Sequence, residues 1–372
     1  MKVGFDGYFM ADEKTAFGKI QRNLLKWLTI VDVEDEFFVF TDFKGTHSIC
    51  ANSKIHCIVV EKKRNDFVWR TNAIKNAIMK YKIKLDVYIE TIEISPSLNS
   101  NIKIYSLQHD FSNGTLEKRF SLAHLKGLVY RFCQLKTIRK SDVVFCNSKY
   151  TMDQLLLMYP NKNRVILLGL DCDSIFKENL EIDSIKESIN LRPLKQFFLF
   201  VGRIAVKHKN IPLLLETFDL FSKKYRNISL VIASTDNPTK VERNLMGKLG
   251  ERLIFLQGLT TSEIATLYSQ ASAYIFPSLY EGFGIPILEA QHMGCPLLLN
   301  DIPIFREVSG GCAIFFNGER EDLFRAMEEI IDKNMQLKLK ECGKINCKKY
   351  SWKNAAFTIH KQLLLEYSHE KI

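Results

Sequence analysis

The 372-residue sequence contains no CxxC pair, no GxGxxG, no Walker loop and no stretch approaching 18 consecutive apolar residues. These absences exclude a zinc ribbon, the usual dinucleotide and ATP cradles, and a membrane-spanning helix. The nine cysteines are scattered and odd in number, a pattern of neither a disulfide framework nor a zinc site. That pattern points to a reducing compartment. The first ten residues, MKVGFDGYFM, place Asp6 and two glycines where a signal peptide needs an apolar run. The expectation is a cytoplasmic protein, at most peripheral on the inner face of the cytoplasmic membrane. Tryptophan is scarce, and Trp27, Trp69 and Trp352 fall within helical patterns and read as core.

What is present is ordinary globular composition, 46% hydrophobic and 25% charged, which excludes disorder and fibrous folds. The length predicts two domains. The net charge of +10 is unevenly spread: residues 1–150 carry 24 Lys and Arg against 16 Asp and Glu, and the remainder is nearly balanced. A nucleic-acid binder with a uniformly basic surface does not look like this. Either the first half meets an acidic surface such as anionic lipid, or its surface is simply over-charged.

Short runs rich in Val, Ile and Phe alternate with amphipathic segments, the signature of parallel sheets with helices on their faces. Strands are expected at 2–6, 37–41, 55–60, 86–90, 102–107, 142–146 and 164–168, then at 197–201, 228–233, 253–256, 273–276, 296–299 and 313–316. Helical patterns lie at 18–30, 68–81, 211–225, 262–270, 286–293, 321–332 and 352–367. Between the two series, 171–195 is polar, carries Pro193 and reads as a linker. The expected architecture is α/β, with two doubly wound domains (1–170 and 196–349) across a cleft. Ligands of such sheets bind at the carboxyl ends of the strands.

One constellation carries chemistry. After the strand at 273–276 comes Pro277-Ser278-Leu279-Tyr280-Glu281-Gly282-Phe283-Gly284-Ile285-Pro286-Ile287-Leu288-Glu289-Ala290. Pro286 suits a first helical turn, and Gly294 suits the helix end. Glycines 282 and 284 let backbone N–H groups approach an anion, and the helix start favours negative charge. Carboxylates at Glu281 and Glu289 accept hydrogen bonds from hydroxyls. A ligand with both phosphate and sugar hydroxyls, a nucleotide sugar, uses both parts. A glycosidase also pairs carboxylates, but it has no use for the anion loop. A second element, Val201-Gly202-Arg203 through Lys209-Asn210, follows a strand end, where Arg203 and Lys209 can neutralise a diphosphate.

At these residues the sequence resembles glycosyltransferase family 4, the glycosyl transferases group 1. These are retaining transferases of the GT-B fold. The resemblance rests on E-G-F-G-I-P-I-L-E after Phe276-Pro277-Ser278, and on the Arg203/Lys209 turn. It also rests on Leu256-Gln257-Gly258, on Gly169-Leu170-Asp171 with Phe176, and on Tyr350-Ser351-Trp352. It implies two Rossmann-like domains, with residues 350–372 as a terminal helix returning to the first. It implies that Arg203 and Lys209 hold the donor diphosphate. Glu281 would meet the transferred sugar, Glu289 the ribose, and the amides of Gly282, Phe283, Gly284 and Ile285 the sugar-phosphate. Gln108-His109-Asp110 resembles the family's H-D pair, which places His109 near the donor sugar. Ala16-Phe17-Gly18-Lys19 resembles its G-x-G-R loop, with alanine for the first glycine and lysine for arginine, and leaves Gly18 to approach the phosphate. The catalytic set so implied is Glu281, His109, Arg203 and Lys209, with no metal and no cofactor beyond the donor.

Asp171-Cys172-Asp173 has the D-x-D form of metal-dependent sugar transferases, but its place in the linker reads as a turn. Residues 116–140 carry seven Lys and Arg against Glu117, with Phe120, Leu125, Leu128, Val129, Phe132 and Leu135 at near-helical spacing. This is either a basic amphipathic helix for a membrane surface or a sheet-packing helix with a charged outer face. The expected activity is retaining transfer from a GDP-mannose- or UDP-sugar-type donor to a glycan or lipid-linked acceptor. By the family resemblance this belongs to surface polysaccharide or O-antigen assembly. The alternatives are a nucleotide-sugar 2-epimerase and a non-catalytic basic scaffold. Nucleic acid is not an expected partner.

Overall fold

Continuous apolar runs are what a parallel strand buried on both faces requires, and each run expected above as a strand forms one. The computed structural model describes residues 1–12, 15–31, 34–42, 52–60, 72–111, 122–177 and 196–369. Seven strands form the first sheet: β1 (Lys2–Asp6), β2 (Glu36–Thr41), β3 (Ile55–Val59), β4 (Val87–Glu90), β5 (Lys103–Gln108), β6 (Val143–Cys146) and β7 (Val165–Leu167). Six form the second: β8 (Gln196–Val201), β9 (Ile228–Ser234), β10 (Leu253–Gln257), β11 (Ala273–Phe276), β12 (Leu297–Asn300) and β13 (Ile314–Phe316). The chain divides into two compact units, Met1–Leu170 with Tyr350–Ile372, and Asp171–Lys349. Most of the 171–195 linker reading, from residue 178 on, lies outside the described residues.

Strand order sets where each unit can bind. The first sheet runs β3-β2-β1-β4-β5-β6-β7 and the second β10-β9-β8-β11-β12-β13, all pairs parallel. Order therefore reverses between β1 and β4, and again between β8 and β11. At such reversals the two following loops diverge and leave a crevice beyond the strand ends.

Helix boundaries follow local chemistry. Thr239 with Glu242, and Thr260 with Glu263, form capping boxes at the starts of helices Lys240–Leu249 and Thr261–Gln270. Ser148 and Asp332 accept the N–H groups of Thr151 and Met335 and so start two further helices. Buried aromatics fill the second unit, with Phe198, Phe221 and Phe218 packed between the sheet and helix Ile211–Lys224. In the first unit, helix Trp352–His369 packs on helix Ala16–Val31 through buried Ala355, Ala356, Ile359 and Leu363. Tyr105 donates to the Gln362 carbonyl at 2.9 Å, and Arg164 pairs with Glu366 at 2.6 Å, fastening that helix beside β5 and β7.

The reading of the cysteines needs a correction. Cys312 and Cys342 form a disulfide, their Cα atoms 5.4 Å apart, and Cys57 is disulfide-bonded as well. A test for closely spaced pairs misses a bridge across 30 residues. The fold closes it by setting helix Lys333–Asn346 beside the turn that follows helix Pro303–Ser309. Among the described residues no helix is long and apolar enough to cross a membrane.

Candidate active site

In the second unit, the loops after β8 and β11 meet. Gly202 sits at φ 147°, a conformation that L side chains rarely adopt, and its N–H bonds the Ala233 carbonyl at 3.0 Å. Asp236, just past β9, organises the next residues. One carboxylate oxygen accepts the Ile204 N–H at 2.8 Å and the other lies 3.4 Å from Arg203 Nε. Burial would raise the Asp236 carboxyl, but the Ser234 hydroxyl, the Ile204 and Ala205 amides and Arg203 hold it below its ordinary value. The Arg203 side chain remains 67% exposed, an available cation on a fixed backbone.

Lys207–Lys209 form one 3-10 turn, ended by Asn210 in the left-handed region at φ 52°. Helix Ile211–Lys224 starts there, with a proline in its first turn. The Leu279 N–H bonds the His208 carbonyl at 2.7 Å and ties this turn to the β11 loop. Lys209 Nζ pairs with Glu281 Oε1 and lies 4.8 Å from the centre of the Phe276 ring. The two charged side chains are 15% and 14% exposed. A cation held over an aromatic face beside one carboxylate, in a partly dried site, acts strongly on a nearby anion.

Gly284, at φ 94°, caps helix Ile285–His292, which has Pro286 in its first turn. Among the described residues no protein acceptor takes the N–H groups of Gly282, Gly284 and Ile285. Phe283 and Ile285 are buried, so their side chains anchor the loop. Glu289 is 4% exposed and accepts from the Tyr268 hydroxyl at 3.3 Å. Burial drives the phenols of Tyr268 and Tyr274 well above their ordinary pKa, and the neighbouring carboxylates add to it. Both are therefore neutral hydrogen-bonding supports under the site.

In the first unit, His109 follows β5 directly and is buried. Its Nε2 lies 2.8 Å from the Thr91 carbonyl. A carbonyl only accepts, so Nε2 carries the hydrogen and Nδ1 keeps its lone pair. Burial lowers the pKa, against the pull of the Thr91 carbonyl and Asp110, and the ring stays neutral. The edge of Phe17 meets the ring at 5.1 Å. Gly18 lies inside helix Ala16–Val31, and its N–H already bonds Thr15 Oγ1 at 3.1 Å. The amide that the sequence reading offers to phosphate is thus engaged within the chain. The glycine is needed for another reason: a Cβ there would fall 2.0 Å from the Asp12 carbonyl oxygen.

The fold gathers Arg203, Lys209, Glu281 and Glu289 in one unit, and Gly18 and His109 in the other. Sequence reasoning missed Asp236 in the S-T-D-N-P turn, and Glu93 three residues beyond β4. The signal for both was an acid just past a strand beside the order reversal. Asp171, read as a turn residue, is buried and paired with Lys177. Its other oxygen lies 3.6 Å from His292 Nε2. Burial lowers the His292 pKa, but the Asp171 carboxylate and Cys347 outweigh it and bring the ring to about 9. Asp171, Cys172 and His292 have ligand atoms within 4.8 Å of one another. With Lys177 and a protonated His292 already on the carboxylate, the group is an internal charge cluster.

Comparison with known proteins agrees with this picture. Residues 181–346 match the family described as Glycosyl transferases group 1. The O-antigen chain mannosyltransferase RfbU of Salmonella typhimurium strain LT2 is 31% identical over 53% of this chain and 53% of that protein. The serotype-specific mannosyltransferase WbdA of Escherichia coli is 32% identical over 47% of this chain and 22% of that protein. The chain spans about half the length, or less, of these curated relatives. Among solved structures, WaaG, a glycosyltransferase involved in lipopolysaccharide biosynthesis, has a TM-score of 0.73 at 16% identity, covering 96% of this chain and 98% of that one. Sucrose-phosphate synthase from Thermosynechococcus elongatus reaches 0.78 at 14% identity, covering 99% and 100%. These likenesses show the two-sheet GT-B fold.

Proposed function

We propose, from its resemblance to the glycosyl transferases group 1, that this chain transfers a sugar from a nucleoside-diphosphate sugar to a glycan or lipid-linked acceptor, with retention. The pathway is O-antigen or related surface polysaccharide assembly, as the names of the relatives suggest. Those names favour a mannose donor, with GDP-mannose before UDP-sugars. The observation that carries the reading is the Lys209–Glu281 pair over Phe276, set where β8 and β11 reverse the strand order.

The chemistry follows from charge. Breaking the bond to the anomeric carbon leaves negative charge on the diphosphate. In this reading Arg203 and Lys209, with the N–H groups at the start of helix Ile285–His292, stabilise it, and no metal is invoked. Glu281, released from Lys209 as the cation turns to phosphate, accepts from sugar hydroxyls, and Glu289 takes the ribose. His109, whose ring keeps an accepting Nδ1, joins the proposed catalytic set by the family resemblance alone. Thermal unfolding with GDP, UDP, ADP, TDP and their sugar conjugates, each with and without EDTA, tests this. A ligand at 100 times its Kd adds about 2.7 kcal/mol to native stability. The expected result is a rise of several degrees with GDP and GDP-mannose, unchanged by EDTA. No shift with any nucleotide would overturn the assignment.

The acceptor side is proposed to meet an anionic membrane through helix Leu122–Lys140. Leu128, Val129 and Phe132 stand exposed on it, Phe132 at 66%, and Lys136, Arg139 and Lys140 are exposed toward its end. Leu135, grouped with them in the sequence reading, packs instead near buried Ile138. Phe120 lies outside the described residues, and nothing is described of the Leu125 side chain. Each cation near an anionic surface is worth about 1 kcal/mol. Neutralising the three charges together is therefore expected to weaken flotation with phosphatidylglycerol vesicles by about 100-fold. Equal flotation of wild type and variant would remove the membrane from the proposal.

A further inference from the structure

Helix Lys333–Asn346 and the 3-10 turn Cys347–Lys349 that extends it take no part in the chemistry above. Their inner side is fixed. Leu339, Gly343 and Asn346 are buried, and Asn346 Nδ2 donates to the Val308 carbonyl at 2.8 Å and to Gln291 Oε1 at 2.9 Å. Cys342 carries the disulfide to Cys312. The outer side is therefore a fixed face in solvent. Leu337 and Ile345 stand 59% and 67% exposed. At i and i+8 they lie on one side of the helix, about 12 Å apart along its axis. Lys338 and Lys344 flank them, and Lys348 and Lys349 prolong the face beyond the helix end, all four exposed.

The chain after residue 150 is nearly balanced in charge, yet residues 333–349 hold six lysines against Glu341 alone. Among the described residues none of the six forms an ion pair, whereas on other helices of this unit Arg325 pairs with Asp322, and Lys223 and Lys224 with Asp219 and Glu328. One exposed aliphatic is ordinary on a surface. Two on one side of a helix, among unpaired cations, make the two-part surface that an anionic bilayer recognises: charge for the headgroup phosphates, and aliphatic groups for the boundary beneath. The cations are all lysine. A lysine is a point charge on a long stem, which reaches past a sunken aliphatic to mobile phosphates. The fixed carboxylates of a protein partner are better met by the arginine fork.

We propose that the outer face of helix Lys333–Asn346, with its 3-10 turn, docks on an anionic lipid bilayer. Leu337 and Ile345 enter the headgroup boundary, and Lys338, Lys344, Lys348 and Lys349 meet lipid phosphates. This contact belongs to the second unit, is distinct from helix Leu122–Lys140 of the first, and does not rest on the transferase reading.

The test floats the full chain with vesicles of phosphatidylglycerol and phosphatidylcholine in equal parts, at about 0.1 M salt, and reads the lipid concentration that floats half the protein. To isolate this face, Lys136, Arg139 and Lys140 are changed to Gln throughout. That background is expected still to float, and not with phosphatidylcholine alone. Each cation at an anionic surface strengthens binding about fivefold. Lys338→Gln, Lys344→Gln, Lys348→Gln and Lys349→Gln together should therefore raise the half-point roughly 500-fold. Leu337→Ser with Ile345→Ser should raise it about tenfold. All six side chains are exposed, so melting should not change. The control neutralises Arg226, Lys240, Arg243 and Lys248, four exposed cations elsewhere on the second unit. It should raise the half-point by no more than about fivefold, because charges beyond a Debye length are screened. A background chain that does not float, or that floats equally with phosphatidylcholine, overturns the proposal. So does an equal loss from the two sets of four cations, which reduces the attraction to net charge. Serine variants that float like their parent overturn the bilayer as occupant and point to a soluble polyanion.

Discussion

Lys209→Ala is expected to lower kcat/KM for sugar transfer by about 1,000-fold, the scale seen when one preorganised group that stabilises developing negative charge is removed. The cation is only partly exposed, between Glu281 and the Phe276 ring, so its charge acts through less water than at the surface. Glu281→Ala should cost a comparable factor. Because the two side chains contact each other, the double variant should lose far less than the product of the single losses. Folding should survive, since leaving one partner unpaired in a partly exposed site costs about 1–3 kcal/mol. Lys209→Arg is an informative third variant. It keeps the charge but replaces a compact ammonium by a planar fork that must fit against the same ring. Steady-state kinetics with melting curves on each variant decide the matter. Full activity in either alanine variant would refute the site.

Gly18→Ala should be the most damaging single-methyl addition in the first unit. The new Cβ would lie 2.0 Å from the Asp12 carbonyl oxygen and 2.6 Å from that of Phe9. Both are backbone atoms that cannot swing aside, so the loop or the start of helix Ala16–Val31 must move. The consequence reaches His109 by contacts. Gln21 on that helix accepts the Phe9 N–H and donates to Thr91 Oγ1, each at 2.8 Å. The Thr91 carbonyl in turn fixes the His109 tautomer. Overpacking of this kind costs about 3 kcal/mol, so a lowered melting temperature is expected. Stabilisation by GDP should persist, because the residues proposed for the diphosphate lie in the second unit. Gly247→Ala is the control: no atom lies within 4 Å of its Cβ position, and alanine in a helix should be neutral or stabilising by about 1 kcal/mol. Equal melting of Gly18→Ala and wild type would show that the loop adapts freely.

The strands were legible because a parallel strand is an unbroken apolar run. Lys2–Asp6 and Ala273–Phe276 were read to the residue. Helices Lys149–Met158, Lys240–Leu249 and Lys333–Asn346 were not read, because their apolar stripes are thin and their caps mark them better than their periodicity. The glycine loop and Glu281 were legible because a strand, two glycines and a proline-led helix are consecutive.

By itself, then, the sequence determined the strands, their alternation with helices into two doubly wound halves, and the residue types proposed to hold a sugar phosphate. Only the tertiary structure decided which of those residues meet. Lys209 and Glu281 are 72 positions apart and pair because β8 lies beside β11. Asp236 reaches the Arg203 loop because β9 lies on the other side of β8. Glu93 grips the residue after β5 because β4 and β5 are neighbours with their ends in register. The same holds for the Cys312–Cys342 bridge and for the outward turn of Phe132. Hydrophobic period and capping are local and can be read along the chain. Strand order is a long-range choice among crossovers, and it sets which loops converge and hence which side chains touch.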